Sequence, residues 1–443
     1  MASSRRKTLF FTFIYKGLYS FIAFISSAVV ARYLSRADRG EFQLAGTYQQ
    51  TGMTIFGGFM NYYAFAVRKR PNDTKEIIQA GNFLVYTAAI LLWLITVALY
   101  YMPIHPIHLS RVWFFALIAM GFTFINGYGT RLLNALDEQA WLNRMNLAQP
   151  LLFLIIFVPL WLDKGLSEPD RLMWTYNLWI LSFLIAVGVT MVVTYRLLRR
   201  EGVLKWRLSP RELKGTLNFG GWSSVAQGTS YLALRMGYWF LQSDKDIMSI
   251  YGIAMVAAEV LNTLSGSITQ LVFARMTGSS RDDAITLTQT STRQTLLSSC
   301  IVAAGMYVTF PWLLVLAFGS KYYGAILPFC LLLPGYVLQA AEGIVMQYFT
   351  NSVGKPIQAV WRNLLYIAVN AVFIAILSKF LNPLNTVAVA TTLSSLVAFL
   401  TYVWWFSKDT GQPGWTLWKI QREDFRPYRE VLQSVLAKVK PSK

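Results

Sequence analysis

Twelve apolar runs of about 20 residues, separated by short segments that hold nearly all of the lysines and arginines, constrain this chain more than any other feature. A helix of that length spans the hydrocarbon layer of a bilayer, about 30 Å thick. No water is present there to satisfy a backbone group, so each segment must bond within itself or join a closed barrel. Runs this long and uniformly apolar exceed barrel strands. The sequence therefore predicts helices over 9–31, 42–67, 78–101, 112–130, 145–162, 172–195, 216–241, 249–273, 294–318, 325–349, 363–378 and 385–407. Apolar residues make up 55% of the 443 and charged residues 14%, too few charges for a water-soluble surface of this size.

Orientation follows from the basic residues. With the N-terminus in the cytoplasm, 29 of the 40 lysines and arginines fall on the cytoplasmic side, nine in outer loops and two, Lys16 and Arg235, inside spans. Both termini are expected inside, in the inner membrane. The net charge of +19 does not indicate nucleic acid, because it sits in short loops beside spans, where it directs insertion. The basic opening Ser3-Ser4-Arg5-Arg6-Lys7 and the apolar run behind it resemble a signal peptide. With no small-residue cleavage site in evidence, they read as an uncleaved first span. Cys300 and Cys330 lie in separate spans and imply no disulfide framework.

The longest internal polar break, Arg196–Lys214, divides the spans six and six. The expected fold is all-α: a membrane protein with twelve transmembrane helices in two six-helix lobes around a central cavity. The lobes are 1–200 and 201–407, followed by a basic, amphipathic cytoplasmic tail, 408–443. The break itself mixes leucines and Trp206 with basic residues, as in a helix lying on the inner leaflet. The tail, with Trp415 and Trp418 and a predicted helix from Asp424 to Val439, is expected to rest against the membrane. Ser35-Arg36-Ala37-Asp38 and Ser243-Asp244-Lys245-Asp246 are short outer turns at matching places in the two halves, as parallel repeats would give.

Ionisable groups inside spans are costly and mark functional sites. Lys16, Arg235, Glu259 and Glu342 are the candidates. Lys16 shares a helix face with Thr12, Ser20 and Ser27, and Arg235 shares one with Gln227, Tyr231 and Tyr238. Span 2 adds Gln43, Gln50 and Asn61; span 8 adds Asn262. Such stripes can enclose a wet cavity, or they can hydrogen-bond helix to helix. For Arg235 the structural alternative is an ion pair with Glu259 or Glu342. Spans 1 to 6 hold no internal carboxylate, so that half cannot bind a coupling cation as pumps do and is suited to an anion. Pro150, Pro159, Pro311, Pro328 and Pro334 are bendable points. His105 and His108, two histidines in a Pro-broken loop, do not make a metal site. Neither a cofactor motif nor a nucleophile motif is present, and no enzyme is expected.

Ala31-Arg32-Tyr33-Leu34-Ser35-Arg36-Ala37-Asp38-Arg39-Gly40-Glu41-Phe42 resembles the span 1–2 turn of the Wzx-type polysaccharide flippases. Arg235 with Trp239-Phe240-Leu241, Ser249-Ile250-Tyr251-Gly252, Phe318-Gly319-Ser320-Lys321-Tyr322-Tyr323 and Asn351-Ser352-Val353-Gly354-Lys355-Pro356 resemble later turns of the same family, in order. The resemblance spans nearly the whole chain. It implies an O-antigen or exopolysaccharide flippase of the superfamily that includes the MATE exporters, moving undecaprenyl-diphosphate-linked repeat units outward by alternating access. Its partners would be that glycan lipid, the membrane and a polysaccharide polymerase. Lys16, Arg235 and, at the outer rim, Arg32 would supply the cationic cavity; Gln50, Asn61, Gln227, Tyr231, Glu259 and Asn262 would line it. Span 1 lacks the Arg–Asp pair of the lipid II branch, which argues against a peptidoglycan precursor. Physics agrees: a diphosphate needs fixed positive charge within low-dielectric walls. An inside-negative potential drives two negative charges outward by about 4–5 kcal/mol per 100 mV. Tyr62 and Tyr63 are placed to meet the glycan first, or to join an interfacial aromatic belt. The alternatives are a cation-coupled small-molecule exporter of MATE type and a non-transporting scaffold for polysaccharide assembly.

Overall fold

The computed structural model describes the backbone of residues 2–102, 109–136, 138–163, 165–200, 207, 209–276, 280–353, 355 and 357–425. The side chains of 2–14, 16, 68, 139, 200, 263–276 and 351 are outside the described set. His105 and His108, most of the amphipathic stretch after Arg200 and the tail beyond Phe425 therefore fall outside it as well.

Among the described residues the protein is helical throughout. The helices are α1 (Ala2–Tyr33), α2 (Arg36–Lys69), α3 (Thr74–Tyr101), α4 (Arg111–Ala135), α5 (Gln139–Leu162), α6 (Glu168–Arg200) and the short α7 (Pro210–Gly215). Then follow α8 (Gly221–Leu241), α9 (Lys245–Met276), α10 (Arg281–Phe318), α11 (Ile326–Gln347), α12 (Ile357–Leu377) and α13 (Pro383–Thr410). Eight of these thirteen, α3 to α6 and α10 to α13, are long and apolar enough to cross a membrane. Helices α2 and α8, 34 and 21 residues long, have the length but carry too many polar residues to meet the same composition. Leu94 and Ile95 on α3, Trp312 and Leu316 on α10, and Trp404 on α13 are exposed, as side chains facing acyl chains must be.

Local chemistry sets the helix starts. Ser35 caps α2, its hydroxyl accepting from the Asp38 N–H at 3.2 Å and donating to the Asp38 carboxylate at 2.7 Å. Ser167 with Asp170 and Ser280 with Asp283 repeat this arrangement at α6 and α10. The predicted Ser243 turn works one residue later: Asp244 accepts from the Ile247 N–H at 3.0 Å and caps α9. Asn382 caps α13, Pro383 occupies its first turn, and Gly411, at φ 71°, ends it in the left-handed conformation that favours glycine.

The chain divides into two compact units, Met1–Ile253 with Val315–Ala325, and Ala254–Leu314 with Ile326–Lys443. The first unit has two aromatic cores. One joins Tyr62, Tyr63, Tyr128 and Leu132 of α2 and α4 to Ile77 and Ile78 of α3. The other joins Tyr33, Phe115, Phe157, Tyr176 and Trp179. Tyr62 and Tyr63 are thus buried, not poised to meet a glycan. The Tyr62 hydroxyl donates to the buried Glu212 carboxylate of α7 at 2.9 Å, and the Thr216 hydroxyl donates to Tyr63 at 3.1 Å. Arg70, at the end of α2, grips Glu212 with two bonds of 2.9 Å, and that carboxylate raises the Arg70 pKa above its ordinary value.

In the second unit α11, α12 and α13 surround a buried ion pair, Glu342 with Arg362, whose guanidinium also donates to Asn363 and lies over the Tyr366 ring. Glu342 is therefore a structural partner of Arg362. The segment after Gly411 docks on α10 through Arg293, which bonds Asp424 at 2.8 Å and the Thr416 carbonyl at 2.9 Å, with Leu417 buried. Trp415 and Trp418 keep exposed faces, but this part of the tail is held by protein contacts. Arg422–Phe425 forms a single 3₁₀ turn where a helix is predicted to begin.

Candidate functional site

Within the first unit a cavity of about 750 Å³ opens beside the second of the two aromatic cores, sharing Val30, Phe153, Trp179 and Phe183 with it. Helices α1, α2, α4, α5, α6 and α8 all contribute to it. The polar stripe of α2 supplies one wall, with Arg39, Gln43, Thr47 and Gln50 three or four residues apart on a single face. Helix α4 presents Thr123, Asn126, Gly127, Thr130 and Arg131, and α5 presents Asn143, Asn146 and Gln149. Trp179, Phe42 and Phe153 close one end, where the aromatic core begins.

Three arginines line this cavity and, among the described residues, no aspartate or glutamate does. Arg39 is buried, yet its bonds go to neutral groups: the Gln43 side-chain oxygen at 2.7 Å and the Ser27 hydroxyl at 3.0 Å. Its Nε has no partner among the described residues. Arg131 donates to the Asn61 side-chain oxygen at 2.7 Å and to the Gly127 carbonyl at 3.3 Å, again neutral groups. Arg235 lies between the rings of Tyr231 and Tyr238, with its guanidinium carbon 5.5 and 5.4 Å from their centroids. The neutral partners of Arg39 and Arg131 orient each guanidinium without cancelling its charge, so these two give the cavity a positive field in surroundings that screen poorly.

Neutral hydrogen-bonding groups complete the lining. The side chains of Gln50 and Asn146 are exposed to the cavity and have no hydrogen-bond partner among the described residues. Pro150 has no N–H to offer the Asn146 carbonyl four residues earlier, which leaves that acceptor free of its usual helical bond. Amide side chains, free carbonyls and ring faces are the groups that bind a polyhydroxylated ligand.

Of the sequence candidates, Gln50, Tyr231 and Arg235 line the cavity. Asn61 holds Arg131 in place while donating to Ser223 at 3.0 Å, and Gln227 donates to the same hydroxyl at 3.3 Å. Arg32 is turned elsewhere. Its guanidinium donates to the Ala317 carbonyl at 2.7 Å and to the Leu316 carbonyl. Glu259 and Asn262 are half-buried on the stretch of α9 that belongs to the second unit. The Lys16 side chain lies outside the described residues. Sequence reasoning missed Arg39 and Arg131, which it assigned to an outer and a cytoplasmic loop. Both continue polar helix faces that it had found or could have found: Arg39 precedes Gln43 by one turn, and Arg131 follows Gly127 by one turn.

No protein-family model matches the chain, and no curated protein matches it. Its fold does match solved structures. A multidrug resistance MATE family transporter of the MOP superfamily, in an inward-facing conformation, superimposes with a TM-score of 0.65 at 13% identity, covering 89% of this chain and 96% of that one. A point mutant of the Vibrio cholerae MATE transporter VcmN gives 0.62 at 14%, covering 92% and 97%. A MOP superfamily transporter from Pyrococcus furiosus, described as having a binding pocket of reversed polarity that suggests a different function, gives 0.59 at 13%, covering 90% and 95%. The fold is that of the MOP superfamily transporters, and the chain is a multi-pass membrane protein.

Proposed function

We propose that this protein is a flippase of the Wzx type, translocating undecaprenyl-diphosphate-linked oligosaccharide units from the inner to the outer leaflet of the cytoplasmic membrane for polysaccharide synthesis. One observation carries the proposal: a cavity of about 750 Å³ lined by Arg39, Arg131 and Arg235 with no carboxylate among its described lining residues. A diphosphate head satisfies the guanidinium groups of Arg39 and Arg131, whose hydrogen bonds go to neutral oxygens, and meets Arg235 beside the rings of Tyr231 and Tyr238. The glycan takes the amide and aromatic groups of α5, α2 and α6. Both termini are cytoplasmic, and lobes 1–200 and 201–407, together twelve transmembrane helices around a central cavity, alternate access about the bound head. No cofactor takes part.

The MATE-type exporter is the second reading, favoured by the multidrug transporters that share the fold. A cation-coupled pump needs a carboxylate where the cation binds, and the lining of this cavity offers cations instead. The test uses proteoliposomes containing a short-chain polyisoprenyl-diphosphate oligosaccharide. Its transfer between leaflets should slow by about one to two orders of magnitude in each of the Arg39→Gln, Arg131→Gln and Arg235→Gln proteins, provided they still purify as folded monodisperse species. Unchanged transfer in all three, or proton-driven efflux of ethidium by the unaltered protein, refutes the flippase reading.

A further inference from the structure

A second cavity, of about 630 Å³, lies on another face of the α2–α8 pair. Ile55 and Phe59 of α2 form one wall, and Leu217, Trp222, Val225 and Leu232 form the other. No charged side chain is among its described lining residues. Glycine shapes it: Gly221 and Gly228 present no side chain, and a Cβ on Gly228 would stand 3.0 Å from Ile55 Cγ1. Leu217, Trp222 and Val225 are exposed, which for apolar groups in a membrane means exposure to acyl chains.

The groove follows the helix. From Leu217 to Leu232 it runs along roughly 22 Å at the ordinary rise per residue. That is most of the ~30 Å hydrocarbon layer. It therefore accepts an extended chain lying along the membrane normal. Helix α8 also has two faces. Tyr231 and Arg235 turn to the cationic cavity, while Trp222, Val225 and Thr229 turn to the groove. A cation-lined chamber and an apolar channel share one helix pair as a common wall.

We propose that this groove binds the polyisoprenoid chain of the lipid-linked substrate while the anionic head occupies the arginine-lined cavity. The inference rests on the flippase reading and adds a tail site to it. A ligand with a charged head and a long apolar chain needs both chemistries within the reach of one molecule, and α2 and α8 provide both.

The test is photolabelling of the full-length protein in nanodiscs of phosphatidylethanolamine and phosphatidylglycerol, with a polyisoprenyl phosphate bearing a diazirine along its chain. Labelled peptides should map to the segments around Ile55–Phe59 and Leu217–Leu232. Val225→Trp, which fills the groove from its open side, should reduce labelling by at least about fivefold. Excess phosphatidylglycerol should not displace the label. Labelling confined to other segments, or labelling displaced by equimolar phosphatidylglycerol, overturns the tail site. If Val225→Trp does not fold, the labelling map of the unaltered protein decides alone. Pyrophosphate binding by calorimetry is read in parallel. If it is absent, or unchanged in Arg39→Gln, the head-site reading fails whatever the label shows.

Discussion

Arg39 and Arg131 matter because of what they bond to. Each is held by neutral oxygens, so each keeps a charge to offer. Hydrogen bonds to charged groups contribute about 1.5–3 kcal/mol, which is roughly 10- to 150-fold in a rate or an affinity. Arg131→Gln should therefore slow glycolipid transfer by one to two orders of magnitude, with the melting temperature little changed because no ion pair is broken. Parallel measurement of flux and thermal unfolding checks this. The opposite outcome is expected at Glu342. It neutralises Arg362 inside the second unit, and removing one member of a buried pair costs about 3–5 kcal/mol. Glu342→Ala should lower thermal stability sharply, while Glu342→Leu combined with Arg362→Leu should recover most of it, since an apolar pair leaves no orphaned charge. If the single variant keeps its stability and instead abolishes transport, Glu342 is a coupling group and not a strut.

Glycine decides how α2 and α8 meet. A Cβ on Gly58 would lie 2.3 Å from the Ser224 backbone, and one on Gly220 would lie 2.8 Å from Phe59 Cα. Close backbone approach of this kind is how helices associate in lipid, where the hydrophobic effect gives no preference for contact. Gly58→Ala should destabilise by about 1–3 kcal/mol through overpacking. Gly46→Ala, with nothing within 4 Å of its added Cβ, should be neutral in the same unfolding assay. The elements themselves differed in how readable they were. The strongly apolar helices α3 to α6 and α10 to α13 announce themselves by composition. Helices α2 and α8 were legible through polar periodicity, because their stripes repeat every three or four residues. Apolar windows cut helices short, however. Helix α4 continues to Ala135 and α2 begins at Arg36, so both cavity arginines were left in loops. The α7 turn and its Glu212–Arg70 grip were not legible, since a six-residue amphipathic turn has no periodic signal and its partner is 142 residues away. The docking of Leu417 and Asp424 on α10 was hidden likewise: tryptophans beside lysines read the same whether they face lipid or protein.

At the scale of the molecule, alternating access needs a contact that holds one side shut and can be released. Under the proposed mechanism, the contacts at the α1–α2 turn of the first unit are suited to that part. Arg32, in the last turn of α1, donates to the Leu316 and Ala317 carbonyls at the end of α10. Lys321, just beyond α10, donates back to the Leu34 carbonyl at the end of α1. The last carbonyls of a helix lack intrahelical partners and carry the negative end of its dipole, so each helix end is closed by the other's cation. Arg36 adds an exposed ion pair to Asp246 at 3.5 Å, and Gly40 lets α2 approach the Lys245 carbonyl so closely that a Cβ would overlap it at 1.9 Å. Under the proposed orientation this clasp faces outward. Among the described residues it contains one exposed carboxylate pair, worth about 1 kcal/mol at most, so release must come chiefly from the contacts of Arg32 and Lys321 with carbonyls. Arg32→Ala with Lys321→Ala should shift the protein toward its outward-open state. The readout is a single cysteine at Ser27, a cavity residue, in a background with Cys300 and Cys330 replaced by alanine. An impermeant maleimide added outside intact cells should label Ser27→Cys several-fold faster in the clasp variant than in its parent, roughly tenfold for each 1.4 kcal/mol of closure removed. Equal labelling rates would mean that the clasp does not govern access, and that Arg32 and Lys321 only close helix ends.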